Sequence, residues 1–205
     1  MTISKLTPSK HVEGRWLAFL EDGTVLRVSE NEVIQFALYA GKELNNEEAA
    51  ALLDAARRSG LKEKTLELLT RKPQSRRELE RKLLGWEASE AEAAAICDRM
   101  EELGYLNDAD YAVRVVRHYS AKGYGVKKLR DELYRRGVPR ELWDAALAQA
   151  EDPSEAIDAF VAKKLAGKTP GRKELKKVSD ALARRGYSWS EISSALDRYH
   201  AECEE

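Results

Sequence analysis

Two spacings of apolar residues divide this chain. Over the opening stretch they fall in short runs: Arg15 to Leu20 reads as a strand, Glu21-Asp22-Gly23 as a hairpin turn, and Thr24 to Val28 as the returning strand. Asp-Gly suits that turn because it tolerates the positive φ angles of a tight hairpin. An earlier strand around Ile3 to Leu6, ended near Pro8, can pair with this hairpin. Ser29 and Glu32 then make a capping box for a helix that carries Val33, Phe36 and Ala37 on one face and stops at Gly41. A second capped helix, roughly Asn46 to Ser59, ends at Gly60.

From about Leu61 onward the spacing is helical and repeats itself. Leu79 and Leu83 align with Leu129 and Leu133, and then with Val178 and Leu182. Each pair is followed by a corner: Glu87-Ala88, Gly137-Val138 and Gly186-Tyr187. The next helix places Ala93, Trp143 and Ile192 at one equivalent position, and Cys97, Leu147 and Leu196 at another. Upstream, Leu66, Val116 and Leu165 fall into the same register. The period is about 50 residues, three short helices to a unit, which is the length range of tandem helical modules. One such unit is too small to bury a full core, so neighbours must stack. The corners explain themselves: glycine at a helix end admits the left-handed conformation, and the residue after it folds back onto the helix just finished. Tyr105, Trp143, Tyr187 and Trp189 read as packing residues of core and helix contacts. The divisions expected are residues 1–60 for the hairpin and helices, then repeats at 61–107, 108–151 and 152–205.

Composition narrows the field. The apolar fraction of 43% excludes a wholly disordered chain, and a formal net charge of −1, with 35% of residues charged, excludes a histone-like polycation. No stretch approaches the roughly 18 apolar residues of a membrane span, and the first ten residues lack a signal-peptide pattern, so a cytoplasmic protein is expected. Cys97 and Cys203 lie far apart without a histidine nearby; a reduced compartment follows, with Cys97 a buried small side chain. His11, His118 and His200 are scattered, with no second ligand at metal spacing. Gly123-Tyr124-Gly125 lacks the strand-loop-helix context and lysine spacing of a phosphate loop. No metal, no cofactor and no catalysis are expected.

Charge does line up locally. With Leu129 and Leu133 facing inward, Lys127 lies on the far side of its helix and Arg130 on the same flank. The equivalents of Lys127 are Arg77 and Lys176; Lys128 matches Lys177, Arg135 matches Arg184, and Arg136 matches Arg185. Repeated modules can thus present a positive surface despite the near-neutral total. Ordinary solvation of exposed helices is the competing explanation, and Asp131 and Asp180 dilute the row.

Several phrases carry a family resemblance. Glu101-Glu102-Leu103-Gly104-Tyr105-Leu106-Asn107-Asp108, followed by Ala109-Asp110-Tyr111-Ala112, resembles the junction between repeats of the RecX family. Lys122-Gly123-Tyr124-Gly125 ahead of Lys128-Leu129-Arg130 and Glu132-Leu133, with Arg136-Gly137-Val138, is similar to the family's second repeat. Arg71 to Pro73, Ser75, Arg76, Glu78-Leu79 and Lys82-Leu83 resemble its opening module. One departure stands out: Glu87-Ala88, preceded by Gly85-Trp86, occupies the first corner, where the family often has glycine and an aromatic.

The resemblance implies an all-α protein of tandem three-helix repeats, elongated and curved, with a small N-terminal β-hairpin and helix extension. It implies a regulator that binds the RecA recombinase filament on DNA and inhibits, or more gently tunes, strand exchange, ATP turnover and co-protease activity, in DNA recombination, repair and the SOS response; a chain with its own stacked core can be a monomer. The candidate contact residues are Arg76, Arg77, Lys127, Lys128, Arg130, Arg135, Arg136, Lys176, Lys177, Arg184 and Arg185. Single- or double-stranded DNA would be held weakly and without sequence preference, through phosphates. A helical DNA-binding regulator acting without RecA, and a protein adaptor, remain open beside this reading.

Overall fold

The computed structural model describes residues 1–166 and 171–204, with side chains described up to residue 200; the Cys203 side chain lies outside them. Three strands open the chain: β1 (Ile3–Pro8), β2 (Arg15–Leu20) and β3 (Val25–Ser29). They form one antiparallel sheet in the order β1-β2-β3, with Ala18 opposite both Leu6 and Leu26. The hairpin closes where Leu20 N–H donates to Thr24 O, and the Asp22 side chain accepts from Thr24 N–H at 2.8 Å.

Helices follow: α1 (Glu30–Gln35), α2 (Asn46–Arg71), α3 (Arg76–Gly85), α4 (Glu90–Glu102), α5 (Asp108–Ser120), α6 (Val126–Arg135), α7 (Trp143–Leu147, after a 3-10 turn at Arg140–Leu142), α8 (Ser154–Leu165), α9 (Arg172–Arg184) and α10 (Trp189–Glu204). The Ser29–Glu32 capping box is present, as is one between Asn45 and Glu48 at the start of α2.

Two helix ends differ from the sequence expectation. α1 stops at Gln35, not at Gly41, because Ala37 takes φ +45° and Leu38 N–H turns back to Val33 O. The early exit carries Leu38 and Leu44 into the core with Ile3, Ala18, Leu20, Val28, Leu52 and Ala56, while Gly41 N–H donates to Ile3 O beside the sheet. Gly60, in turn, does not end a helix: α2 runs through it to Arg71. The buried face continues from Leu52 and Ala56 to Leu61, Thr65 and Leu69, and that burial outweighs the roughly 1 kcal/mol that an internal glycine costs against alanine.

Backbone packing divides the chain into two compact units, residues 1–72 with 82–99, and residues 73–81 with those from 100 onward. The first holds the core just described. The second holds two more. Tyr111, Ala112, Val115, Val116, Leu129, Leu133, Val138 and Ala146 form one, and Ile157, Val161, Leu165, Val178, Leu182, Tyr187, Ile192 and Ala195 the other. Leu129, Leu133, Val178 and Leu182 are thus inward-facing, as their spacing predicts, and Cys97 is fully buried. Tyr105 and Trp189 correct the packing expectation: they are 51% and 71% exposed, whereas Tyr187 is buried. Each begins or flanks a helix on the outer side of its corner, where the fold-back contact falls instead to Leu106 and Tyr187.

Candidate partner-binding surface

All eleven candidate basic residues belong to the second unit, and the way its helices meet decides which of them face solvent. The start of α3 abuts the corner after α6: Ser75 Oγ donates to Arg136 O, and the Arg77 stem lies against Gly137. The start of α6 meets the corner after α9 in the same way. Gly125 N–H donates to Arg185 O at 3.0 Å, and Lys127 N–H to Gly186 O at 3.1 Å. Ser75 and Gly125 are equivalent positions, as are Arg136 and Arg185, so one contact is used twice. At the second the backbones nearly touch. A Cβ on Gly125 or on Gly186 (φ +92°) would lie well inside 3.0 Å of the facing main chain.

This arrangement sorts the cations. Arg76 is held by Glu80 at 3.0 Å and Glu101 at 2.8 Å, and its backbone N–H donates to Asp108 Oδ1. Arg136 is ion-paired to Glu132, donates to Tyr119 Oη at 3.1 Å, and lies 5.3 Å from the centre of the Tyr119 ring. Arg185 lies over the Phe160 ring at 4.6 Å and reaches Gly123 O at 3.4 Å. Lys128 sits 3.6 Å from Glu132. The Arg185 side chain thus reaches from one module to the next, whereas Arg76, Arg136 and Lys128 are engaged by acidic side chains of their own modules. Arg135 also pairs with Glu132, at 2.6 Å, yet stays 68% exposed. Arg77, Lys127, Arg130, Lys176, Lys177 and Arg184 are exposed with no ion pair among the described residues.

Glu132 is the acidic hub of α6, with its side chain 5% exposed. Burial pushes its carboxyl up, but hydrogen bonds from Arg136 and Arg135 more than offset this and hold it below its ordinary value. Burial likewise raises the Asp108 carboxyl, against the Arg76 N–H that it accepts. Tyr111 Oη donates to Glu78 Oε2 at 2.7 Å, and burial with that bond raises its pKa. Glu78 also accepts from Ser75 N–H, so this buried set caps α3 and is structural.

A groove of about 490 Å³, open to solvent, lies beside the α3–α6 contact. Its cationic walls are Arg77, Arg81, Arg135 and Arg140, with Tyr134 and Trp143 between them and no carboxylate among its lining residues. Sequence reasoning took in Arg77 and Arg135 but passed over Arg81, one helical turn beyond Arg77, and Arg140. It also assigned Trp143 to packing. Trp143 is half-buried, with Nε1 donating to Val138 O at 3.0 Å and Arg140 stacked 5.8 Å from its ring centre. Among the described residues no group of three His, Cys, Asp or Glu side chains is placed to hold a metal, and no helix is long and apolar enough to cross a membrane.

Three-helix modules with exposed cations on α3, α6 and α9 define a helical-repeat protein. Comparison with known proteins makes the class particular. Residues 62–100, 107–147 and 150–196 match family models described as the first, second and third three-helix domains of RecX. A protein from Xanthomonas axonopodis pv. citri, named Regulatory protein RecX, is 35% identical over 135 residues, 65% of this chain and 83% of that protein. A like-named protein of Clostridioides difficile is 25% identical over 201 residues, 96% of this chain and 94% of that one. A crystal structure of regulatory protein RecX is similar to this fold with a TM-score of 0.70 at 25% identity, covering 96% of this chain and 98% of that one. The chain belongs to the RecX family of regulatory proteins.

Proposed function

We propose that this chain binds RecA filaments assembled on DNA and modulates their recombinase, ATPase and co-protease activities in the inhibitory direction. It acts as a binding protein and performs no chemistry of its own. Family membership points to regulation, and the observation that carries the partner class is the set of exposed cations left without acidic partners on the second unit. Lys127 and Arg130 on α6, Lys176, Lys177 and Arg184 on α9, and Arg77 on α3 are the contact residues under this reading, with Arg135 beside them. Arg76, Lys128, Arg136 and Arg185 support the surface from within through the contacts described. Repeats at 61–107, 108–151 and 152–205, behind an N-terminal part at 1–60, supply many weak contacts that add along a monomer.

The test is sedimentation of this protein with RecA–single-stranded-DNA filaments. The wild type should co-sediment, and a triple reversal (Lys127→Glu, Arg130→Glu, Arg135→Glu) should lower its filament affinity at least tenfold, because each replaces a free or half-free cation on the exposed side of α6. Unchanged co-sedimentation of the triple variant would remove that surface from the account. Saturable, sequence-selective binding to naked DNA with no response to RecA would favour the independent DNA-binding reading.

A further inference from the structure

The sheet of the first unit has two edges, and only one is covered. On the outer side of β1, Ile3 N–H donates to Lys42 O at 2.9 Å, Gly41 N–H donates to Ile3 O at 2.7 Å, and Glu43 bridges to Thr2. The outer side of β3 has no such neighbour. Bonds at both ends of the β2–β3 pair, Leu20 N–H to Thr24 O at 2.8 Å and Glu30 N–H to Gly14 O at 2.9 Å, set which residues of β3 point inward. Because an antiparallel ladder alternates, Leu26 and Val28 turn their N–H and C=O to β2, and Val25 and Arg27 turn theirs away. Among the described residues nothing bonds those outward groups. At Ser29, the next outward position, the N–H is taken by Glu32 of the capping box.

A cavity of about 750 Å³, open to solvent, runs along this edge. All five residues of β3 line it, whereas a cavity on one face of the sheet would meet only alternate ones. Its other wall is α2, where Leu53, Ala56, Arg57, Gly60 and Lys64 follow the spacing of one helix face. Gly60 leaves that wall open, with nothing within 4 Å of where a Cβ would sit. Trp86 also lines the cavity, with Lys64 Nζ 5.8 Å from its ring centre. Val25 and Leu53, one on each wall, stay 46% and 47% exposed. Arg15 is matched by Glu63, and Arg57 by Asp54 and Glu92. Arg27 and Lys64 make no ion pair among the described residues. The remaining carboxylates of the lining, Glu13 and Glu87, lie outside the strand, whereas Arg27 is its central residue.

We propose that β3 is a docking edge for an extended segment of a partner protein, of alternating apolar and acidic residues, which adds to the sheet as a fourth strand. Its main chain bonds the outward groups of Val25 and Arg27, and its side chains alternate between two environments. One set turns toward α2, over Leu26 and Leu53, and is apolar. The other set lies on the side of Arg27, where a carboxylate directly opposite is attracted. A second copy of this chain fits less well. Two β3 strands paired about their centres would set Arg27 against Arg27, and like charges directly opposite destabilise a ladder. Arg27 thus discourages self-pairing and selects an acidic partner. The site belongs to the first unit and does not depend on the cations of the second.

The experiment titrates a short fluorescein-labelled peptide of alternating valine and glutamate with the full chain, read by anisotropy, and follows backbone amide exchange by NMR. The peptide should bind saturably. The amides of Val25 and Arg27 should then become protected, while those of Leu26 and Val28, already turned to β2, stay as they were. Arg27→Glu should weaken binding about fivefold or more, and a peptide with lysine in place of glutamate should recover it. Val25→Pro should weaken binding about tenfold, because it removes an outward N–H, and leave Tm close to wild type, because proline is tolerated on an edge strand. A peptide of the same composition with its valines and glutamates in separate blocks should bind about fivefold more weakly, since charge alone does not match the alternation of the edge. The absence of saturable binding, equal binding by the wild type and the two variants, or binding that leaves the Val25 and Arg27 amides unprotected overturns the proposal. So does protection of those amides in a free protein that sediments as a dimer, which would give the edge to a second copy.

Discussion

Glu87 shows what a single residue contributes to a corner. It takes φ +65°, and Ala88 N–H turns back to Leu83 O as Val138 does to Leu133 O and Tyr187 to Leu182 O. The corner forms without glycine, at a strain of roughly 1–2 kcal/mol for an L-residue in that conformation. Glu87→Gly should therefore stabilise the protein by about 0.5–1 kcal/mol once the greater freedom of glycine in the unfolded chain is subtracted, measurable as a shift in urea midpoint. Glu92 gives a pH signature. A hydrogen bond from Arg57, then one from Ser89 N–H, lowers its pKa to about 2. The folded value lies below the unfolded one, so this stability is present above about pH 4.5 and is lost as pH falls toward 2. Glu92→Gln should flatten that acid arm; an identical fall in stability for variant and wild type between pH 5 and 3 would count against it. At this scale the sequence was legible where a residue acts within its own element, as in the Ser29–Glu32 box. It was not legible where the partner is distant: Arg136 and Arg77 are both arginines at module surfaces, and only Glu132, Tyr119 and Gly137 tell them apart.

Helices and corners behave differently under the same substitution. Gly60 lies within α2 with nothing within 4 Å of a Cβ, so Gly60→Ala should raise stability by about 0.5–1 kcal/mol. Gly186 combines a positive φ with the main chain of Lys128 close by, and Gly186→Ala should cost about 3 kcal/mol through strain and overpacking together. Thermal unfolding of the two variants should move Tm in opposite directions; a shared direction would mean that α2 is broken at Gly60 or that α6 stands clear of the α9 corner. The inward faces of α6 and α9 were readable from the four-residue spacing of Leu129 with Leu133 and Val178 with Leu182. The ends of α1 and α2 were not, because what continues or stops them is burial: Leu38 drawn to the sheet in one case, Leu61, Thr65 and Leu69 in the other.

Across the molecule, the repeat was written in the chain, since a period of about 50 residues returns the same apolar pair, corner and helix, and the RecX resemblance was legible separately, in phrases such as Glu101 to Ala112. The surface was legible only in part. Lys127, Arg130, Lys176, Lys177 and Arg184 stand exposed as their helical positions imply, whereas the groove of Arg77, Arg81, Arg135 and Arg140 draws on elements some sixty residues apart, a juxtaposition created by module stacking. The role proposed for these cations is the regulation of RecA. Single-stranded-DNA-dependent ATP hydrolysis by RecA of the same organism, titrated with this protein from substoichiometric to equal ratios, tests it most directly. A fall in turnover is expected already at low ratios, with no hydrolysis by this protein alone. A rate unchanged across the whole titration would contradict it.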